Sequence, residues 1–142
     1  MIPIILSKIL SKIDLVLMLG GATYIYTQYD KDIITIIGLI IALVGFVLWG
    51  ISRLQLGNSF SIDAQAKGLV TTGIYSKIRH PIYIFGGLSY LGLFIASKQP
   101  VAMICFFIIY LTYQSIRIKN EETILDKTFG SEYQKYRKNT WC

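Results

Sequence analysis

Long apolar segments separated by short polar stretches dominate the chain, and four of them are candidates for membrane-spanning helices. They lie at residues 13–29, 33–52, 81–97 and 99–117. A helix needs roughly 17–25 predominantly apolar residues to cross the hydrocarbon core of a bilayer. The second segment meets this requirement plainly and the last two narrowly, while the first is free of charge only from Leu15 onward. The pattern predicts an all-α membrane protein with about four transmembrane helices.

The composition favours a bilayer over water as the surroundings of these helices. Hydrophobic residues make up 54% of the 142 residues and charged residues only 15%, and the mean hydropathy is +0.54. Soluble domains carry about 25% charged residues. A soluble bundle also needs polar faces on its outer helices, which these nearly charge-free segments do not offer. Glycines 38, 45 and 50 in the second segment are expected to let neighbouring helices approach closely.

Basic residues are distributed unevenly between the two ends of the predicted spans. Four spans place the N-terminus, the loop at 57–80 and the tail at 118–142 on one side of the membrane. Lys31 and Lys98 lie in the turns on the other side, so the first side holds twelve of the 14 Lys and Arg, including those at the span ends. Cytoplasmic segments of membrane proteins are enriched in Lys and Arg. The sequence therefore predicts both termini, the central loop and a helical C-terminal tail in the cytosol.

The formal net charge of +6 is not accompanied by a nucleic-acid-binding motif. Contact with anionic lipid head groups explains it better, so membrane lipids are the expected partners and nucleic acid is not. Cys105 and Cys142 lie in different environments, and their spacing suggests neither a disulfide nor a metal site. We expect the chain, 1–142, to form one integral membrane domain, and the sequence indicates no particular oligomeric state.

Two motifs lie beside the last two predicted spans. Before the third span, residues 67–75 are KGLVTTGIY and residues 79–83 are RHPIY. After the fourth span, residues 117–122 are RIKNEE and residues 129–136 are FGSEYQKY. Proline suits the first turn of a helix, where its missing N–H leaves no hydrogen bond unmade. Positions four apart share a helix face, so the arginine and the first glutamate of RIKNEE are expected to lie side by side.

Together these motifs resemble the signature of the isoprenylcysteine carboxyl methyltransferase and phospholipid methyltransferase superfamily, over roughly residues 60–140. The resemblance implies S-adenosylmethionine as cofactor, bound by the central loop and the tail rather than on a Rossmann sheet, and a lipophilic substrate that enters from the bilayer. It implies that Arg117 faces and orients the substrate. The residues that it implies for the cofactor site are Lys67, Gly68, Leu69, Val70, Tyr75, His80, Pro81, Ile82, Tyr83, Glu121 and Glu122.

These residue types suit the chemistry of that cofactor. Glu121 can pair with its ammonium or accept hydrogen bonds from its ribose hydroxyls. The aromatic faces of Tyr75 and Tyr83 can attract its sulfonium or stack on its adenine. The fork of Arg117 can hold a substrate carboxylate by two hydrogen bonds. Since a carboxylate needs no general base before it attacks, and only His80 and the glutamates are candidate bases, we expect carboxyl O-methylation of an isoprenylcysteine-like substrate.

Two alternatives remain open at the level of sequence. One is a phospholipid N-methyltransferase acting on a phosphatidylethanolamine-type lipid, and the other is a non-catalytic membrane scaffold with the same fold. His80 alone also fits an interfacial helix anchor, and Arg117 with Glu121 also fits an ordinary interfacial ion pair. Lys77 and Arg79 are expected to be interfacial anchors or phosphate contacts outside the site. The tail around Tyr133, Tyr136 and Trp141 is expected to cover it.

Overall fold

The computed structural model describes residues 4–28, 30, 32–57 and 69–141. Over these residues the chain forms five α-helices and one short 3-10 turn, Gly73–Ser76. The α-helices are α1 (Ile4–Gln28), α2 (Ile33–Leu56), α3 (Pro81–Ser97), α4 (Pro100–Phe129) and α5 (Ser131–Lys138). The described part contains no β-strand, and an isolated parallel β-bridge joins Ile78 to Trp141. The prediction of an all-α chain is confirmed.

Two of the helices are long and apolar enough to cross a bilayer. These are α2, with 24 residues, and α4, with 30 residues, while α3 is a shorter apolar helix of 17 residues. Large apolar side chains such as Leu43, Val47 and Leu54 cover the outer face of α2, where they are exposed in the isolated chain. Such a surface is unfavourable in water and is stable when lipid chains cover it. Both helices therefore have the character of membrane helices.

Helix α4 continues without a break through residue 117, where the predicted span ends and the predicted tail begins. Its 30 residues correspond to a length of about 45 Å, against about 30 Å for the hydrocarbon core of a bilayer. The helix ends only at Gly130, which has a φ of 49° and separates it from α5. The polar turns of α4 that carry Arg117 and Glu121 are thus a rigid extension of the apolar part.

Small residues form the interface between the antiparallel helices α2 and α3. The buried residues at this interface are Gly38, Ala42, Gly45, Ser89, Gly92 and Ala96. Two hydroxyls cross it: the Thr35 hydroxyl donates to the carbonyl of Ala96 at 3.3 Å, and the Ser89 hydroxyl donates to the carbonyl of Ala42 at 3.1 Å. Close backbone contact of this kind is how helices associate in membranes, where lipid removes the hydrophobic driving force.

The expected packing role is confirmed for two of the three glycines of α2. A Cβ built on Gly45 would lie 2.5 Å from the amide nitrogen of Ser89, and one built on Gly38 would overlap the backbone of Ala96. The prediction is wrong for Gly50, since a Cβ there would meet nothing within 4 Å. That position faces away from the helix pair, because it lies five residues beyond Gly45 and five residues rotate the side chain by about 140° more than one full turn.

Replacement of Gly92 by alanine is expected to destabilise the helix pair. A Cβ at this position would overlap the backbone of Ala42, so the helices must separate to make room for it. Overpacking of this kind costs about 1–3 kcal/mol, which a lower midpoint of thermal unfolding in detergent micelles would report. The matched control is Gly50→Ala, which has open space and is expected to be neutral or to gain about 0.5–1 kcal/mol of helix stability. Equal midpoints for the two variants would rule out this interface.

A pair of charges closes the end of the helix pair opposite to the motifs. The Asp32 side chain caps α2 by accepting from the amide of Thr35 at 3.0 Å, and it pairs with the ammonium of Lys98 at 2.6 Å. The hydrogen bond from Lys98 is the main reason why the pKa of Asp32 is lowered to about 2. Because α3 ends at this pair, its first turn and the RHPIY motif lie at the other end of the bundle.

Candidate active site

The segment 69–80 guides the chain from α2 to the first turn of α3. Gly73, with a φ of 62°, starts the 3-10 turn, and the next amide, that of Ile74, donates to the side-chain oxygen of Gln55 on α2 at 2.9 Å. Helix α3 then begins at Pro81, as the sequence predicts. The carbonyl of His80 accepts from the amides of Tyr83 and Ile84 at 3.2 and 3.3 Å, which fixes the first helical turn.

The two sequence motifs meet where α3 begins and α4 leaves its apolar part. The Tyr83 hydroxyl donates to Oε2 of Glu121 at 2.8 Å, and the guanidinium of Arg117 lies over the Tyr83 ring, 5.2 Å from its centre. The Tyr110 hydroxyl donates to the carbonyl of Tyr83 at 2.8 Å. Tyr83 is therefore held by α4 through both its backbone and its side chain. The predicted sharing of one helix face by Arg117 and Glu121 is confirmed.

His80 connects the first turn of α3 to both glutamates. Its ring stacks on the ring of Tyr83, with centres 5.9 Å apart, and the residue is only 5% exposed. Its Nε2 lies 3.4 Å from Oε1 of Glu122, and its Nδ1 lies 3.9 Å from Oε2 of Glu121. The His80 imidazole is therefore buried between two carboxylates, while the His80 backbone caps the start of α3.

Glu122 lies among cationic groups. Its Oε1 is 3.4 Å from Nη1 of Arg79, and its Oε2 is 3.8 Å from Nη2 of Arg137. The interpretation of Arg79 as an interfacial anchor is wrong, because its side chain is only 14% exposed and lies beside Glu122. Within the described part of the chain, the buried Nε and Nη1 of Arg79 make no hydrogen bond. A buried donor without an acceptor costs about 1–3 kcal/mol.

The C-terminal tail packs beside this cluster through Tyr133 and Tyr136, as the sequence predicts, whereas Trp141 is 78% exposed. Tyr133 on α5 is 1% exposed, and the Tyr136 hydroxyl donates to the carbonyl of Tyr75 at 2.7 Å. Further along, the amide of Trp141 donates to the carbonyl of Lys77 at 2.7 Å, and its carbonyl accepts from the amide of Arg79 at 3.0 Å. These bonds attach the end of the chain to the segment that carries RHPIY.

Burial keeps the tyrosines around the site protonated. It raises the pKa of Tyr133 to about 12, with the nearby charge of Glu122 adding to the effect, and it raises that of Tyr136 to about 12. Burial also raises the pKa of Tyr75, and the charge of Glu121 contributes to that shift. At neutral pH these hydroxyls are protonated and carry no charge.

Half of the twelve residues expected at the site come together in the structure, and the other six are accounted for as follows. Those that come together are Tyr75, His80, Tyr83, Arg117, Glu121 and Glu122. Pro81 is buried, and Ile82 is half-buried in the same helical turn. Leu69 and Val70 are half-buried, and no hydrogen bond or ion pair in the described part of the chain joins them to the cluster. Lys67 and Gly68 lie outside the described residues. We use the name polar cluster for Arg79, His80, Tyr83, Arg117, Glu121, Glu122 and Arg137.

Sequence reasoning missed Arg79, Tyr110 and Arg137. A signal existed for Tyr110, since it precedes Arg117 by seven residues and thus lies on the same face of a helix. A signal also existed for Arg79, which is adjacent to His80 in the first motif. No signal in the sequence indicates a role for Arg137, because only the fold of the tail brings it to Glu122.

The polar cluster has the chemistry of a site for a charged organic ligand. Two carboxylates and three guanidiniums lie around the aromatic ring of Tyr83 and the imidazole of His80, next to apolar helices. Glu121 is the more accessible carboxylate, since its side chain is 37% exposed and that of Glu122 19%. Such an arrangement can hold an ammonium and a carboxylate at the same time and can place an aromatic face against a third group.

Comparisons with known proteins identify the family of the chain. The family model described as phospholipid methyltransferase matches residues 32–132. The protein-S-isoprenylcysteine O-methyltransferase of Xenopus laevis is 32% identical over 74% of this chain and 38% of its own length. The proteins of the same name in Schizosaccharomyces pombe and Saccharomyces cerevisiae are 34% and 30% identical, over 67% and 72% of this chain and 42% and 45% of their own lengths. No solved structure matches the chain.

The similarity extends over most of the part of the chain that builds the polar cluster. The matched residues 32–132 run from the start of α2 into α5 and include the first motif and the second motif up to residue 132, so Arg137 lies outside them. They make up more than two thirds of the chain, although the chain spans less than half the length of these curated relatives. The chain belongs to the phospholipid methyltransferase family.

Proposed function

We propose that the chain is an S-adenosylmethionine-dependent methyltransferase that methylates the carboxylate of an isoprenylcysteine-like substrate. The observation that carries this proposal is the meeting of the two motifs, in which Tyr83 of the first motif contacts both Glu121 and Arg117, which share one face of α4. Family membership supports methyl transfer, and the names of the relatives support an isoprenylcysteine acceptor. The acceptor would lie on the Arg117 side of Tyr83 and the cofactor on the Glu121 side.

The residues of the polar cluster fit the amino-acid end of the cofactor. The accessible carboxylate of Glu121 can pair with its ammonium. Tyr75 and Tyr83 offer aromatic rings to its sulfonium or adenine, and His80 stacks on Tyr83 beside both glutamates. We keep Lys67, Gly68, Leu69, Val70, Pro81 and Ile82 as proposed lining residues. When bound, S-adenosylmethionine supplies an activated methyl group for in-line displacement.

The protein's contribution to the reaction is alignment and exclusion of water. Arg117 orients the acceptor carboxylate through its planar fork, and Tyr83 keeps the arginine in position through the ring beneath it. An acceptor carboxylate is ionised at neutral pH, so no side chain has to remove a proton from it. The tail held at Tyr75 and Lys77 shields the site from water, which favours alignment of the reacting atoms.

We propose further that α1, α2, α3 and α4 all cross the membrane, with both termini and the site in the cytosol. The excess of Lys and Arg on the side of the motifs supports this orientation. The position of the polar cluster at the start of α3 and on the polar extension of α4 is consistent with it, as is the Asp32–Lys98 pair at the opposite end. A lipophilic acceptor would then reach the site laterally from the inner leaflet.

Purified protein incubated with methyl-labelled cofactor and N-acetyl-S-farnesylcysteine is expected to give a labelled methyl ester. The ester releases its label as volatile methanol in base, which distinguishes it from a methylamine. The matched control is the same acceptor with its carboxylate converted to an amide, which is expected to take up no label. Label in the amide, or label that resists base, would contradict carboxyl methylation.

A phospholipid N-methyltransferase is the second candidate function, and the family description favours it. In this case phosphatidylethanolamine vesicles would become labelled in a base-stable form, while N-acetyl-S-farnesylcysteine would not. A non-catalytic scaffold predicts neither product and no heat of S-adenosylhomocysteine binding in calorimetry. The three functions therefore give three different outcomes with the same protein preparation.

A further inference from the structure

We propose that Arg79 binds a carboxylate group of a ligand in the polar cluster, and that this group belongs to the amino-acid end of the cofactor. The inference rests on the proposed function and assigns a residue that neither sequence motif analysis nor the comparisons assign. It starts from buried hydrogen-bond donors of Arg79 that make no hydrogen bond in the described part of the chain. Within the described residues, the buried Nε of Arg79 makes no hydrogen bond, and its buried Nη1 lies 3.4 Å from Oε1 of Glu122 in an ion pair without hydrogen-bond geometry, although the side chain is only 14% exposed.

The position of Arg79 is fixed by its backbone. Its amide donates to the carbonyl of Trp141 at 3.0 Å, beside the parallel bridge between Ile78 and Trp141, and His80 follows it directly at the start of α3. The backbone on both sides of Arg79 is therefore fixed, by the contact with Trp141 and by the start of α3. A preorganised donor of this kind loses little conformational freedom when a ligand binds.

The net positive charge of the polar cluster favours the binding of an anion. Arg79 and Arg137 both pair with Glu122, at 3.4 and 3.8 Å, and Arg117 adds a third guanidinium over the ring of Tyr83, whose hydroxyl donates to Glu121, the second carboxylate of the cluster. Three permanent positive charges thus stand against two negative charges, before any proton on His80 is counted. A buried guanidinium is stable only with sufficient acceptors around it, and its planar fork matches the geometry of a carboxylate.

The place of Arg79 in the cluster favours the cofactor over the acceptor as the source of that carboxylate. An amino acid carries its ammonium and its carboxylate on the same carbon, so the groups that bind them must be close neighbours. His80 provides this closeness, because its Nδ1 lies 3.9 Å from Glu121 and its Nε2 lies 3.4 Å from Glu122, the partner of Arg79. Arg117 contacts the face of the Tyr83 ring, where the acceptor is proposed to bind.

Calorimetry in detergent with two probes tests the assignment: S-adenosylmethionine and its decarboxylated form, which lacks only the carboxylate. Wild-type protein is expected to bind the complete cofactor about tenfold to hundredfold more tightly than the decarboxylated form. Arg79→Gln is expected to bind both with the weaker affinity, and Arg79→Lys to retain part of the difference. The matched control is Lys77→Gln, which removes an exposed positive charge from the same segment and is expected to behave like the wild type.

Each result decides between the possibilities. If Arg79→Gln keeps the full wild-type preference for the complete cofactor, and the KM for the acceptor is also unchanged, the inference is overturned. If only the KM for a carboxylate acceptor rises, Arg79 binds a carboxylate, but the acceptor supplies it. If Arg79→Gln does not fold, the wild-type preference and its reduction in Arg79→Lys still carry the test. Failure of the wild type to bind either probe would overturn the proposed function itself.

Discussion

Replacement of Glu121 by glutamine is expected to weaken the binding of S-adenosylhomocysteine by about tenfold to hundredfold and to lower methyl transfer at least as much. Glutamine has nearly the same shape and can still accept the hydrogen bond that the Tyr83 hydroxyl donates at 2.8 Å. What it lacks is the negative charge that pairs with the ligand ammonium in our proposal. The experiment therefore isolates charge from packing, with affinity measured by calorimetry and transfer by labelled methyl incorporation.

Two further variants make this result specific. Glu132→Gln removes an exposed negative charge from the first turn of α5 and is expected to leave both affinity and transfer unchanged. Tyr83→Phe removes the hydrogen bond to Glu121 and keeps the charge, so it is expected to weaken binding less than Glu121→Gln does. Wild-type affinity in Glu121→Gln would show that this carboxylate does not face the cofactor.

The two glutamates of the second motif illustrate what the sequence cannot separate. Adjacent carboxylates are equivalent in a motif, and both were expected to hold the cofactor. In the structure Glu122 lies among Arg79, His80 and Arg137, so its charge is already neutralised, while Glu121 is the more exposed of the two. The difference depends on Arg137, which lies fifteen residues further along the chain and reaches Glu122 only because α5 folds back.

Features that depend on neighbouring residues were predictable, and features that depend on distant contacts were not. The start of α3 at Pro81 follows from the chemistry of a single residue, and the alignment of Arg117 with Glu121 follows from helix periodicity. The backbone of Arg79 is held by the bond from its amide to the carbonyl of Trp141, sixty-two residues away in the chain. No local sequence pattern indicates such a contact, so the interpretation of Arg79 as an interfacial anchor was wrong.

The length of α4 shows that hydropathy predicts the apolar part of a helix but not where the helix ends. The predicted span ended at residue 117 because charged residues begin there, but charge limits membrane burial and not helix formation. The residues that follow include Lys119, Glu121 and Glu122, which are good helix formers, and the helix stops only at Gly130. Hydropathy thus located the apolar part of α4, while its end is set by backbone conformation.

Replacement of Arg117 by lysine is expected to raise the KM for N-acetyl-S-farnesylcysteine by about tenfold to hundredfold and to leave the affinity for S-adenosylhomocysteine unchanged. Lysine keeps the positive charge but loses the planar fork that can hold a carboxylate by two hydrogen bonds. It also loses the flat contact with the Tyr83 ring, whose centre lies 5.2 Å from the guanidinium. Steady-state kinetics at saturating cofactor, with calorimetry alongside, measures the two quantities separately.

Arg53 provides an unusually close control for this experiment. Its guanidinium lies 5.2 Å from the centre of the Trp49 ring, so Arg53→Lys disturbs the same kind of contact at the end of α2. If stacking alone mattered, both variants would lower thermal stability and neither would change the KM for the acceptor. If Arg117 orients the acceptor, only Arg117→Lys changes that KM. An effect of Arg117→Lys on S-adenosylhomocysteine binding instead would place this arginine on the cofactor side of Tyr83 and would exchange the two sides of the proposed site.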